Sequence, residues 1–330
     1  MDFELSDDQV ALAEGIAKLC AGRVPPPRLR ELEQAGGIDR DLWRKLGDAG
    51  VFALRLPEDA GGVGLGMAEA GVVFQELGRA LVPGPLIWSH LASSFEPQAA
   101  TGARIFTGVV HDGSTRLVID HLGVTDSVVV IGPEAVSVVP ASDVADRARA
   151  VAVPTDPLTP VWLVDVNDVP AGEPAGNGEL ATRLLREGAA LAAAQQVGIA
   201  RATTDLAVAY AKEREQFNRP IGSFQAVKHI LADMLVRAEV ARAAADAAAV
   251  TLDQPEVGDP ALAVAGAKAV ADEAAVRNSE ACIQVHGGMG FTWEALPHLY
   301  LKRAWVLDAA FGSADASADE VARLVKQQSR

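Results

Sequence analysis

Apolar positions along the chain fall into three textures. From the start to about residue 95 they recur at helical spacing. Val10, Leu12, Ile16 and Leu19 follow Ser6, a residue type suited to capping a helix N-terminus. Pro25-Pro-Pro27 is expected to stop that helix. A second helix is predicted from Asp39 through Trp43 and Leu46 to Ala49, and a third from Met67 to Leu81 after the loop Gly61–Gly66. Between about 100 and 178 the runs become short and β-branched, as in Thr115–Asp120, Ser127–Ile131 and Ala135–Val139. From about 179 an alanine-rich helical pattern returns in four long segments, approximately 179–213, 223–252, 258–290 and 296–326. Long helices joined by short turns predict an antiparallel four-helix bundle. The fold class expected is mainly α with a small β-domain: an N-terminal helical domain (1–95), a shortened middle β-domain (96–178) and a C-terminal bundle (179–330).

Composition narrows the function. The chain has 330 residues, of which 49% are hydrophobic, with net charge −15. Such a charge repels phosphate backbones unless basic residues gather in one patch. The cluster Arg23, Arg28, Arg30 is followed at once by Glu31 and Glu33, so nucleic-acid binding is not expected. The most apolar run, Gly188 to Ala211, is broken by Gln195, Gln196, Arg201 and Asp205, which suits a buried helix rather than a membrane span. The acidic N-terminus does not read as a signal peptide. Two cysteines far apart, Cys20 and Cys282, suggest free thiols in a reducing cytoplasm. No histidine or cysteine spacing suggests a metal site.

Gly62-Val-Gly-Leu-Gly66 does not have the spacing of a dinucleotide loop and reads as an interhelical turn. Two other segments carry more. In Arg214-Glu-Gln-Phe-Asn-Arg-Pro-Ile-Gly-Ser-Phe-Gln225 a helix ends at an arginine, turns through Pro-Ile-Gly and restarts at Phe224-Gln225. An arginine beside a helix end offers a diphosphate permanent charge and fork geometry. Phe217 and Phe224 are able to flank a flat ring, and Gln225 bonds in both directions. A tight helix corner with a surface ion pair explains the same residues. In Gln284-Val-His-Gly-Gly-Met-Gly290, three glycines in four positions let backbone N–H groups approach a ligand. An unusual helix-ending loop is the alternative.

Together, in this order and spacing, the two segments resemble the acyl-CoA dehydrogenase family. Pro57-Glu-Asp-Ala-Gly-Gly-Val-Gly-Leu-Gly66 followed by Gln75-Glu-Leu-Gly-Arg79 is similar to that family's N-terminal domain. The resemblance implies FAD shared at a subunit interface, with Arg214, Gln216, Phe217, Ile221, Phe224, Gln225, Gln284, Gly287 and Gly288 holding the ADP end of another subunit's cofactor. Asn218 stands where the family mostly has glycine.

The same resemblance implies losses. The Thr-Glu-Pro-x-x-Gly-Ser-Asp and Trp-Ile-Thr/Ser-Asn stretches of the family's β-domain are missing between 95 and 178. In Leu299–Ser313, similar to the family's last active-site helix, Phe311-Gly-Ser313 stands where Glu-Gly-Thr is usual. Proton abstraction from a thioester α-carbon needs a carboxylate, and a phenyl ring cannot supply one. Some relatives carry the base on the first bundle helix, near Gly188 here. That makes Glu187 a reserve candidate, although beside Arg186 near a helix start it reads first as a solvated charge. Asp308, one turn before Phe311, reads as structural.

Intact and missing parts together resemble the short subunit of actinobacterial heterotetrameric acyl-CoA dehydrogenases, including those acting on steroid side-chain CoA thioesters. The partners implied are a homologous catalytic subunit in an α2β2 assembly that holds most of the acyl-CoA, and an electron-transfer flavoprotein as acceptor. A homomeric dehydrogenase using Glu187 and a flavin-free scaffold are the alternatives.

Overall fold

A computed structural model describes residues 4–328. The chain opens with α1 (Asp7–Arg23), α2 (Pro26–Gln34), α3 (Arg40–Asp48), α4 (Met67–Arg79), α5 (Leu86–Ala92) and α6 (Pro97–Ala100). Strands β1 (Phe106–Val110), β2 (Arg116–Asp120), β3 (Ser127–Ile131) and β4 (Ala135–Pro140) follow, then the short α7 (Ala141–Ala145) and β5 (Arg149–Ala150), β6 (Val161–Asp165) and β7 (Glu173–Asn177). The remainder is α8 (Gly178–Glu213), the hairpin strands β8 (Glu215–Gln216) and β9 (Arg219–Pro220), α9 (Gln225–Asp253), α10 (Pro260–His286), α11 (Pro297–Asp308) and α12 (Ala314–Gln328). The fold is mainly helical with a small sheet domain and a C-terminal four-helix bundle.

Local chemistry explains most starts and stops. Ser6 and Gln9 form a reciprocal capping box at α1. Asp39 accepts from the Leu42 amide at the start of α3. The proline run does more than end a helix: Pro25 is the cap of α2 and Pro26 its first residue. A missing N–H costs nothing there, because first-turn amides have no helical partner. The segment predicted as one helix over 296–326 is two. It breaks after Asp308, and Phe311 and Gly312 take left-handed φ of 56° and 103°.

By contacts the chain forms two compact units. One comprises the residues through Val24, Gly71–Val82 and Ala189 onward; the other comprises Pro25–Ala70 and Pro83–Gly188. The second unit holds both larger sheets. One has the order β1-β3-β4-β7, with β1 and β3 parallel and the rest antiparallel; the other is β2-β6-β5. They share one core, with Val109, Val128 and Val130 from the first sheet against Leu117, Ile119 and Val164 from the second.

In the first unit α4 and α8 cross with almost no room between backbones. A Cβ on Gly198 would lie 2.0 Å from the Gln75 carbonyl oxygen, and one on Gly78 would lie 2.2 Å from that of Gln195. Glycine at both positions is what permits the crossing. The last carbonyl of α4 and one just beyond it are taken up by α11: Tyr300 Oη donates to Arg79 O at 2.7 Å, and Arg303 donates to Val82 O. Asn278 joins three bundle helices, donating to the carbonyls of Ala200 and Met234 and accepting from Arg237 Nε. Both cysteines are free and buried, and burial pushes each thiol up to about 12. Among the described residues no helix is long and apolar enough to cross a membrane, and no group of three metal-ligating side chains occurs.

Candidate functional site

The two glycine- and arginine-bearing segments meet at one end of the bundle. Tyr210, one turn before the end of α8, stacks on His286, the last residue of α10, with ring centroids 4.2 Å apart. Ala207, Ala211, Met234, Cys282 and Val285 form a core beneath them, and Ile221 packs against it. The role of Ile221 is thereby defined as an apolar anchor. It ties the hairpin to the bundle and is only partly buried.

Between α8 and α9 the chain makes a two-residue hairpin. β8 and β9 pair, and the connecting Phe217 and Asn218 both have left-handed φ, 53° and 61°. Two consecutive positive φ values define the turn that matches strand twist in short hairpins. Asn tolerates this region; Phe does so at a cost of about 1 kcal/mol. The strained Phe217 is nevertheless 85% exposed. It meets Phe224 edge-on at 6.1 Å, and the Arg219 guanidinium lies over the Phe224 ring at 4.1 Å. Ile221 N donates to Arg214 O and closes the loop. Arg214, Gln216 and Gln225 are exposed, while Phe224 is partly covered.

At the end of α10, Gly287 has φ 59° and ψ −138°, a conformation open to glycine but strained for other residues. No protein atom lies within 4 Å of where a Cβ on Gly287 or Gly288 would project, so this backbone is bare on its outer side. Gln284 is exposed one turn earlier. The next residues carry exposed apolar side chains: Met289 at 47%, Phe291 at 74% and Trp293 at 60%. A bare glycine backbone, an unpaired arginine fork and two exposed amides form a donor set of the kind a nucleotide diphosphate requires. The chemistry of these residues fits FAD's ADP end, and Ile221 supports them from the bundle side.

The base position has a different character. Phe311 sits in the turn between α11 and α12 instead of on a helix face. That turn is held from below by Lys268, whose side chain is fully buried. Its ammonium donates to Asp272 and to the carbonyls of Leu307 and Asp308, the last two of α11. It therefore caps the negative end of that helix from inside the core. Asp272 also accepts from Gln196, which donates as well to Ala304 O. Burial pushes the Asp272 carboxyl up to about 7 and the Lys268 ammonium down. Asp308 accepts from the Ala314 amide and starts α12, a structural role as expected. A cleft of about 540 Å³ borders this cluster, lined by Asp272, Asp308, Trp305 and Asp315 among others.

Glu187 departs from its expected solvated role. It is buried, 2.8 Å from Arg55 and 4.0 Å from Arg183. The side chain of an adjacent residue on a helix points elsewhere, so the neighbouring Arg186 gave no sign of this. Near this pair His90 is buried with Nδ1 2.9 Å from Val51 O, and burial lowers its imidazole to about 4. The sequence reading missed Arg219, Tyr210, His286 and the Lys268–Asp272 pair. Arg219 was readable as a second arginine inside the segment already singled out. The buried pair shows only as a Lys–Asp (i, i+4) spacing, which usually marks a solvated face.

An N-terminal helical part, a small β-domain and a four-helix bundle whose end carries an arginine hairpin beside a glycine turn define the architecture of flavin-dependent acyl-CoA dehydrogenases. The N-terminal domain of that family matches residues 6–102 and its C-terminal domain residues 176–326. Acyl-CoA dehydrogenase FadE34 of Mycobacterium tuberculosis is 37% identical over 91% of this chain, which spans 45% of that protein's length. Acyl-CoA dehydrogenase IpdE2 of Mycolicibacterium smegmatis is 35% identical, covering 91% of this chain and 93% of its own. A chain in the crystal structure of the ChsE4-ChsE5 complex from M. tuberculosis superimposes with a TM-score of 0.84 at 27% identity, covering 99% of both chains. The chain belongs to the acyl-CoA dehydrogenase family.

Proposed function

We propose that this chain is a subunit of an FAD-dependent acyl-CoA dehydrogenase that completes the ADP side of a partner subunit's FAD site and lacks the usual catalytic glutamate. The division into residues 1–95, 96–178 and 179–330 is then functional: the third part grips the nucleotide, and the shortened second part has lost the flavin-side segments. When bound, FAD supplies the hydride acceptor for α,β-desaturation of an acyl-CoA thioester. Arg214 pairs with the diphosphate. Gln225, Gln284 and the Gly287–Gly288 backbone orient the ADP portion, and Gln216, Phe217 and Phe224 shape its border.

The observation that carries this reading is the contrast between an exposed, bare ligand-holding end and a base position occupied by Phe311. Glu187 is the acceptor of a buried ion pair with Arg55, which weighs against it as the base of the homomeric alternative. The similarity to a chain of a two-component complex supports a homologous catalytic partner, in an α2β2 assembly, that holds the acyl-CoA. Exposed Phe291 and Trp293 beside the glycine turn suit such a contact. The resemblance to the short subunits of steroid side-chain dehydrogenases suggests a bulky thioester, with an electron-transfer flavoprotein as acceptor. Two buried free thiols suit the cytoplasm.

The test is flavin counting on the complex with its catalytic partner. Arg214→Ala is expected to weaken FAD binding by roughly tenfold or more, since hydrogen bonds to charged groups are worth about 1.5–3 kcal/mol. Unchanged flavin content and affinity would count against the proposal.

A further inference from the structure

Arg219 has no assigned role, yet it is stacked on an aromatic ring at the same hairpin that Arg214 enters. The chain carries net charge −15, and several of its arginines meet a carboxylate: Arg28, Arg40, Arg55, Arg79, Arg242 and Arg277 each lie in an ion pair. Among the described residues, neither Arg214 nor Arg219 has a carboxylate within 4 Å. Arg214 immediately precedes the hairpin and Arg219 opens its second strand, across the two strained positions. Nor does an acidic residue occupy the first turn of α9, and its cap, Phe224, makes no side-chain hydrogen bond to the helix.

Arg219 is not a free surface side chain either. Its guanidinium is laid over the Phe224 ring at 4.1 Å, and that ring is braced by Phe217. Stacking fixes the plane of a guanidinium while leaving its N–H groups in that plane available to an acceptor. Two arginines without a carboxylate partner, one pre-oriented on an aromatic ring, thus lie at the place where the proposed ADP grip needs positive charge.

We infer that Arg219 is a second diphosphate-binding residue, held flat by Phe224 so that it and Arg214 clamp the FAD diphosphate from two sides. The inference rests on the reading of this end of the bundle as an FAD half-site. Phe224 then acts as a positioning residue, through the arginine, in addition to bordering the site. The pair also sets a preference: a dinucleotide with its diphosphate is retained, whereas FMN, with one phosphate and no ADP, leaves the clamp unfilled.

The experiment measures FAD dissociation from the complex by flavin fluorescence at 50 and 300 mM NaCl for wild type, Arg214→Ala, Arg219→Ala, Arg219→Lys and Phe224→Leu. Arg219→Ala is expected to raise Kd about tenfold and to flatten its salt dependence, because one screened charge contact is gone. Arg219→Lys is expected to recover the salt dependence but only part of the affinity, a lysine being a point charge without the fork. Phe224→Leu is expected to weaken FAD less than Arg219→Ala, with the salt slope kept. Thermal melting of the flavin-free chain controls for a structural role of the stack; a lowered melting temperature with wild-type Kd and salt slope would overturn the inference. Arg214→Ala losing FAD while Arg219→Ala binds as wild type would also overturn it, leaving the half-site reading intact. If neither variant changes Kd, that reading fails too.

Discussion

Two turns of the same bundle show opposite treatment of charge and strain. At the β8–β9 hairpin, strained Phe217 points into solvent and two arginines stand apart from the acids that surround them. At the α11–α12 turn, strained Phe311 is partly covered, and Lys268 beneath the turn is sealed in the core on three acceptors. Strain at an exposed site is worth keeping when something outside the chain is to be met. Strain over a saturated buried cation is worth keeping when the chain must hold itself. The difference separates an exposed turn with uncompensated positive charge from a turn packed over a sealed cation.

The largest effect that would sharpen this contrast comes from the sealed turn. Lys268→Met leaves Asp272 buried beside no cation, and is expected to cost about 3–5 kcal/mol in urea unfolding. Loss of less than about 1 kcal/mol would show that the lysine is not what holds the end of α11. Next, Gly287→Ala forces a side chain into a glycine conformation and is expected to cost about 1–3 kcal/mol, read in the same assay. At a smaller scale, Ser6→Ala removes a capping box far from either turn and is expected to cost about 1 kcal/mol, a yardstick for a purely local feature.

The pH dependence of stability tests the buried pair separately. Asp272 has its carboxyl raised from 3.8 to about 7. Between those values the folded chain keeps a proton that the unfolded chain releases. Its contribution is therefore complete below about pH 4 and is lost as pH rises through about 7. Asp272→Asn is expected to flatten that part of the profile, measured as unfolding free energy at pH 4.5, 6 and 7.5. The smallest effect expected is on activity: Phe311→Glu in the complex should leave turnover within about twofold, since a restored carboxylate finds no flavin-side segments in its own β-domain. A clear gain would break the comparison.

Legibility followed the range of the interactions. Helix starts governed by one side chain, such as Ser6 and Asp39, could be read directly. So could β2, β3 and β4, whose β-branched runs carry their own signal. β7 could not, because Glu-Pro-Ala-Gly-Asn has no strand propensity and pairs only as an edge, where proline is tolerated. The two ligand-facing segments were readable because their residue types are rare in combination. Ile221's role as an anchor was not, since it depends on what lies beneath it.

By itself the amino-acid sequence determined the mainly helical class, the family, and the absence of a carboxylate at residue 311, because periodicity, motif and residue identity are local facts. Tertiary structure decided which charges are sealed and which are left open. Glu187 became a buried ion-pair partner, Lys268 a helix cap from within, and Arg219 a stacked and unpaired cation. Burial and pairing are set by residues distant in the chain, so no local pattern could have fixed them.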